Sequence, residues 1–323
     1  MSIDAPVPID QGQDSLTEAF GRALAALGHE FQRLFVLDSG TSDSTGSHQF
    51  RKRHPERFID FGAAEQTMIS AAGGLSAVGI LPVAMGLAAH WLRAVDQIRL
   101  SLTPATSNLK IVAGAAGIDA GAAGPALQAF EDIAQFRTLP GMTVVVPGDP
   151  VEAALATRAV LEHDGPIYLR NGSVPARRIF GADHRFAIGR GTTLRNGTDV
   201  TIVACGPALA RALDAADLLA AEQLSACVVN MSTIKPIDSA LLKTCAEVTG
   251  ALVTAEDHSI HGGLGGAVAE ALAACRPCPI EFVGIRDRSG RSGDHENLAD
   301  HFGVGAKAIA EAAKRAIVRK QVN

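Results

Sequence analysis

Arg57-Phe58-Ile59-Asp60-Phe61-Gly62-Ala63-Ala64-Glu65-Gln66 is the stretch whose reading decides the fold. Residues 57–60 form a short strand, Gly62 a turn, and 63–77 a helix with Glu65 in its first turn. A strand running directly into a helix opens a βαβ unit. Ligand sites of such units form at the carboxyl ends of the strands, where Glu65 lies.

The alternation extends in both directions. Upstream, residues 15–28 predict a helix with Leu16, Phe20, Leu24 and Leu27 on one face, followed by a strand at 34–37 and a turn at 38–41. Downstream come strands at 81–85, 110–113, 143–146 and 167–169, with helices at 88–102, 128–138 and 150–163. Gly, Arg and Asn gather between 180 and 198, the best linker candidate. The pattern then restarts, with strands at 200–204, 226–230, 251–255 and 280–285 and helices at 207–222, 238–247, 263–274 and 305–319. Residues 1–13 read as a flexible lead-in. The expectation is an α/β chain of two doubly wound domains with mostly parallel sheets, divided as 14–186 and 187–323. Asp38, Glu65, Ala115, Arg170, Glu256 and Arg286 fall at strand carboxyl ends.

Composition narrows the class. The 323 residues are 47% hydrophobic but only 4% aromatic, with 33 Gly, which suits buried strands and Ala-rich helices. A net charge of −5 gives no footing for nucleic acid or an anionic membrane. Five cysteines in a chain of this size argue against a disulfide framework, and Cys275-Arg-Pro-Cys278 lacks the further ligands a zinc site needs. The acidic N-terminus is unlike a signal peptide, and no apolar run reaches membrane-spanning length, so a cytoplasmic protein is expected.

Several motifs go further than spacing. The opening stretch resembles the pyrimidine-domain motif R-F-I-x-x-G-I-A-E-Q of transketolases. Arg93-Ala94-x-Asp96-Gln97-Ile98-Arg99, Leu139-Pro140-Gly141-Met142 and Asp164-Gly165-Pro166-Ile167-Tyr168-Leu169-Arg170 resemble later parts of that domain. Thr233-Ile234-Lys235-Pro236-Ile237-Asp238, Glu256-Asp257-His258-Ser259-Ile260-His261-Gly262-Gly263 and Gly284-Ile285-Arg286-Asp287-Arg288 resemble the family's C-terminal domain. The resemblance runs from about residue 14 to the end and is closest to the split form, in which the two halves of transketolase are separate chains.

That resemblance implies a thiamine diphosphate-dependent transferase of ketol or acyl units, making and breaking C–C bonds. No Gly-Asp-Gly occurs in the chain. The motif that holds the diphosphate and Mg2+ is therefore expected on an N-terminal-type partner subunit. Self-association through both domains of this chain would give an α2β2 heterotetramer. Glu65 would activate the cofactor: a partly buried carboxylate shares a proton well with the pyrimidine N1′, because burial raises a carboxyl pKa. Glu65 read alone would be no more than a helix-dipole partner. Leu87 and His90 take the positions of a family Phe pair that covers the pyrimidine. His90 is open to reading as a donor, a base or a polar group facing the cleft. Asp38 and Arg93 complete the expected cofactor-binding set.

The sugar-binding part departs from the family. Its segment H-x-G-I…G-E-D-G-P-x-H-Q reads here with Ala115, Ala122-Ala123 and Leu127 in place of both histidines and the acidic pair. A family phosphate-binding Arg aligns with Thr17, and a family Asp with Gly40. Arg170, Asp119 and Gln128 remain as candidate substrate ligands. Small or apolar groups where charge-assisted bonds once held a sugar phosphate suggest a non-standard donor such as a 2-oxo acid. Two other readings stay open: a β-type subunit of a 2-oxo acid dehydrogenase or acyloin-forming enzyme, and a non-catalytic partner subunit. His258 and His261 read as structural or interface residues.

Overall fold

The structure, a computed structural model, describes residues 14–102 and 107–322. The expected lead-in 1–13 lies outside them. Strands β1 (Leu34–Asp38), β2 (Phe58–Asp60), β3 (Leu81–Leu87), β4 (Lys110–Gly114), β5 (Thr143–Val145) and β6 (Ile167–Arg170) are separated by helices. The later strands are β7 (Thr192–Arg195), β8 (Val200–Ala204), β9 (Ala226–Asn230), β10 (Thr233–Lys235), β11 (Leu252–Ser259) and β12 (Ile280–Ile285).

They build two sheets, of order β10-β5-β6-β4-β3-β1-β2 and β12-β11-β8-β9-β7. All neighbours are parallel except β10 on β5 and β7 on β9. Every residue of β3 and β4 is buried, as expected of central parallel strands covered on both faces. Helix starts are marked in the sequence. Ser15 accepts from the Glu18 amide at 3.2 Å, and Asp149, followed by Pro150, accepts from the Glu152 amide at 2.7 Å.

Three features differ from the sequence reading. The region 180–198 contains an edge strand, β7, whose Thr-Thr-Leu-Arg is too short and polar to signal itself. Residues 233–235 leave the second half of the chain and join the first sheet as β10, so the two sheets do not divide at one point in sequence. The expected helix 88–102 is three pieces, Ala88–Trp91, a 3-10 turn Leu92–Ala94 and Val95–Ser101. Tertiary contacts impose this break. Trp91 is fully buried and its Nε1 donates to the Val112 carbonyl at 3.1 Å. Gly86 makes room for it, since a Cβ there would stand 2.9 Å from the Trp91 ring. The chain thus turns straight from β3 into a helical turn.

The two domains share their core. One apolar cluster runs from Ile69, Trp91 and Phe136 of the first half to Met231, Leu242 and Leu264 of the second. Each such side chain contributes about 1.5–3 kcal/mol when fully buried. Within that cluster Phe136 stacks on Tyr168 with ring centroids 3.8 Å apart.

Candidate active site

Glu65 is the first residue of the helix Glu65–Ala77 and is 1% exposed. The preceding Ala64 offers no side-chain cap, so the positive end of the helix faces the carboxylate. The turn after β3 supplies two basic groups. His90 Nδ1 lies 3.0 Å from Glu65 Oε1, and Arg93 Nη2 lies 3.1 Å from Oε2. Gln66 Nε2 donates to the Arg93 carbonyl at 3.1 Å and ties that turn to the start of the helix. The broken helix is what aims His90 and Arg93 at one carboxylate.

The His90–Glu65 approach is close but poorly directed. Glu65 Oε1 and His90 Nδ1 are both buried and neither has an aligned hydrogen-bond partner. A buried polar atom left so costs about 1–3 kcal/mol. An incoming donor at Oε1 would recover that energy. Burial pushes the His90 pKa down; the Glu65 charge pulls it up and Arg93 pushes it down again. Leu87, the last residue of β3, is 8% exposed and lies three residues before His90.

The remaining sequence candidates are engaged by the protein itself. Asp38 is fully buried; Oδ1 accepts from the Thr41 amide at 2.7 Å, and Oδ2 from the Ser47 and Thr45 hydroxyls at 2.7 and 3.1 Å. Burial raises its pKa against those three bonds. It organises the loop after β1. Asp119 accepts from the Ser173 amide and hydroxyl at 2.5 and 2.7 Å and from the Val174 amide at 3.1 Å. Gln128 pairs with the backbone of Arg291, donating to its carbonyl and accepting from its amide, each at 2.8 Å.

Arg170 is 3% exposed. Its Nε donates to Asp132 Oδ2 at 2.8 Å, and its Nη atoms reach Asp257 Oδ1 at 3.4 Å and the Asp257 carbonyl at 3.2 Å. Tyr168 donates to the same Asp132 oxygen at 2.7 Å. Gly117, with φ +64°, lets the Asp257 carbonyl in, since a Cβ there would stand 2.3 Å from it. The hydrogen bonds and ion pairs of Asp38, Asp119, Gln128 and Arg170 given above run to groups other than Glu65, His90 and Arg93. Sequence reasoning passed over Asp132. Its Glu131-Asp132 pair looks like ordinary charge at a helix start, and only the fold brings it to Arg170.

In the second domain Glu256 accepts from the Leu264 and Gly265 amides at 2.7 and 2.8 Å, capping the helix Leu264–Ala273 from a neighbouring strand. His258 is fully buried. Its Nδ1 donates to the Ser259 carbonyl at 2.7 Å, and its Nε2 accepts from the Ala134 amide at 3.3 Å. These partners fit the neutral ring, in line with a pKa lowered chiefly by burial.

Residues 13–172 match the transketolase pyrimidine-binding domain and residues 189–309 the transketolase C-terminal domain. The 6-deoxy-6-sulfo-D-fructose transketolase subunit SqwH of Clostridium sp. (strain MSTE9) is 37% identical over 98% of this chain and 99% of its own length. The chain belongs to the transketolase family. A putative transketolase C-terminal section from Methanocaldococcus jannaschii is 38% identical over 92% of this chain and 94% of its own. Human transketolase is 35% identical over 94% of this chain but only 49% of its own length, so this chain spans about half of that relative. A solved split-gene transketolase, described as an inactive beta4 tetramer, superposes with a TM-score of 0.87 at 42% identity and covers 96% of this chain and 100% of its own. Leishmania mexicana transketolase shares the fold, with a TM-score of 0.80 at 20% identity. The two mostly parallel sheets are the transketolase pyrimidine and C-terminal domain folds. Membership puts the chain on the transketolase side of the readings left open by its sequence, in a family that works with thiamine diphosphate. No helix among the described residues is long and apolar enough to cross a membrane.

Proposed function

We propose that this chain is the pyrimidine-binding half of a two-chain, thiamine diphosphate-dependent transketolase-like transferase. In this reading it is silent alone and works when a second chain brings the Gly-Asp-Gly motif, the diphosphate and Mg2+, in an α2β2 assembly. The observation that carries the reading is Glu65. It is a buried carboxylate at a helix start, paired with Arg93 and close to His90, with Oε1 lacking an aligned hydrogen-bond partner. The split-gene neighbour supports the partner requirement, since it is described as inactive as a tetramer of one chain type.

Bound thiamine diphosphate supplies a carbon nucleophile that can take a ketol or acyl unit from a donor. The chain's own part is to position and tune. Glu65 would hold a proton at the pyrimidine N1′, with Leu87 against the ring. Arg93, 3.1 Å from Oε2, holds the Glu65 carboxylate in place. His90, kept neutral by burial, is free to accept or donate one proton at the mouth of the site.

The donor reading rests on the segment that departs from the family and on Arg170. Ala115, Ala122, Ala123 and Leu127 offer no charge-assisted bonds, and Arg170 is already held by Asp132 and Asp257. We therefore propose a donor other than the usual ketose phosphate, with 2-oxo acids the first class to try. The relative named for 6-deoxy-6-sulfo-D-fructose supports a departure from phosphate, towards a different tail on a ketose.

The test mixes this chain with the partner chain, thiamine diphosphate and Mg2+, and assays ketose phosphates, ketose sulfonates and 2-oxo acids. Turnover by the mixture and none by either chain alone is the expected result. Activity of this chain alone would contradict the two-chain reading. Xylulose 5-phosphate turned over at ordinary transketolase rates would contradict the donor reading only.

A further inference from the structure

A cleft of about 750 Å3 opens between the two domains, within the size range of small-molecule sites. Leu16, Val174, Pro175 and Pro207 give it apolar walls. Glu65, Leu87, His90 and Arg93 are not among its lining residues. The second domain contributes the start of the helix Ala208–Ala221, with Arg211 in its first turn, and the start of the helix His295–Phe302, with His295.

Arg211 sets this cleft apart. It is 6% exposed, yet neither its Nε nor its Nη2 has a hydrogen-bond partner. Buried guanidinium groups are normally paired, because an unpaired buried charge is costly. His295 adds a second open group: its Nε2 is buried and also lacks a partner. The acids around the cleft are already engaged. Asp119 takes three donors from Ser173 and Val174, Asp214 pairs with Arg177 at 2.7 Å, and Asp294 accepts from the Asn297 amide at 3.0 Å. Asp257, whose charge both Arg211 and His295 feel, is paired with Arg170 through Oδ1, while its Oδ2 is buried without a hydrogen-bond partner. Glu296, 3.7 Å from the other ring nitrogen of His295, has its side chain 86% exposed. The helix Ala208–Ala221 has no side-chain cap, so its positive end adds to the field of Arg211.

We propose that this interdomain cleft is a binding site for a small organic anion. Its carboxylate or phosphate would take the open donors of Arg211 and His295, and its carbon skeleton would lie against the apolar walls. The site is separate from the Glu65 centre and does not depend on the reaction proposed for it.

Calorimetric titration of the full chain tests this, with inorganic phosphate, 3-phosphoglycerate and lactate as probes and chloride matched for ionic strength. Saturable binding of phosphate and 3-phosphoglycerate but not lactate assigns a phosphate site; binding of lactate as well assigns a general carboxylate or anion site. Arg211→Gln should weaken whichever binding is seen by at least about tenfold, or about 1.4 kcal/mol. Ala210→Glu, which sets a carboxylate on the cleft wall, should weaken it likewise and decides the matter if Arg211→Gln does not fold. Glu65→Gln should leave it unchanged. The proposal is overturned if no probe binds saturably up to about 10 mM, a free energy below about 3 kcal/mol. It is equally overturned if Ala210→Glu and a folded Arg211→Gln bind as well as the parent chain, or if Glu65→Gln abolishes binding.

Discussion

Nδ1 of His90 stands 3.0 Å from Oε1 of Glu65 without a directed hydrogen bond between them. Burial holds the imidazole pKa below its ordinary 6.5 while Glu65 pulls it up and Arg93 pushes it down. An NMR titration should therefore find His90 titrating below 6.5, still lower in Glu65→Gln and higher in Arg93→Met. The linkage sign follows. The unfolded chain binds the proton more readily, so this histidine's contribution to stability is present above pH 6.5 and is lost as pH falls through the lowered folded value. His90→Gln should flatten that part of the stability curve. A His90 pKa above 6.5 would contradict the arrangement.

Glu256 gives the opposite sign. Burial raises its pKa to about 7 from an ordinary 4.5, against the pull of the Gly265 and Leu264 amides and of Arg170. Folding then favours the protonated form. The associated stability is full below pH 4.5 and declines as pH rises towards about 7. In Glu256→Gln the decline should vanish from urea-midpoint measurements.

Lys110 has no exposed surface, and its Nζ donates to Asn108 Oδ1, the His163 carbonyl and the Gly165 carbonyl at 2.5, 2.7 and 2.6 Å. It ties the start of β4 to the turn before β6. Lys110→Met removes all three bonds and leaves the His163 and Gly165 carbonyls without this donor, although the Gly165 amide still donates to Asn108 Oδ1 at 3.1 Å, and should cost about 3 kcal/mol or more. A change below about 1 kcal/mol in chemical denaturation would show that water replaces the ammonium.

Ala115 adopts φ +50° just after β4, in a region that strains any residue with a Cβ. Ala115→Gly should stabilise the protein by about 0.5–1 kcal/mol, and Ala115→Val should destabilise it by more. Equal melting temperatures for all three would contradict this strain.

Much of this was legible in the sequence. Alternation placed most of the strands and the two-sheet plan, and the Arg57–Gln66 stretch singled out Glu65 and its helix. What could not be read depends on contacts between distant residues. Nothing local marks 233–235 as a strand of the first sheet, because its partner is β5, roughly ninety residues earlier. The break in 88–102 follows from Trp91 reaching Val112. Arg170 looked available for substrate because the sequence does not reveal that Asp132 and Asp257 converge on it from two different domains. Arg211 gave no signal at all, since a lone Arg on an Ala-rich helix reads as a solvated face.

In the two-chain enzyme proposed above, Glu65 activates the cofactor. The most direct measurement of this role is the steady-state turnover of Glu65→Gln and Glu65→Asp reconstituted with the partner chain, thiamine diphosphate and Mg2+, beside circular dichroism of each variant. The account predicts an intact fold and association in both, turnover lost by at least about a hundredfold in Glu65→Gln, as expected when an acid–base group is removed, and partial activity in Glu65→Asp. Turnover near that of the parent chain in a folded, associated Glu65→Gln would contradict it.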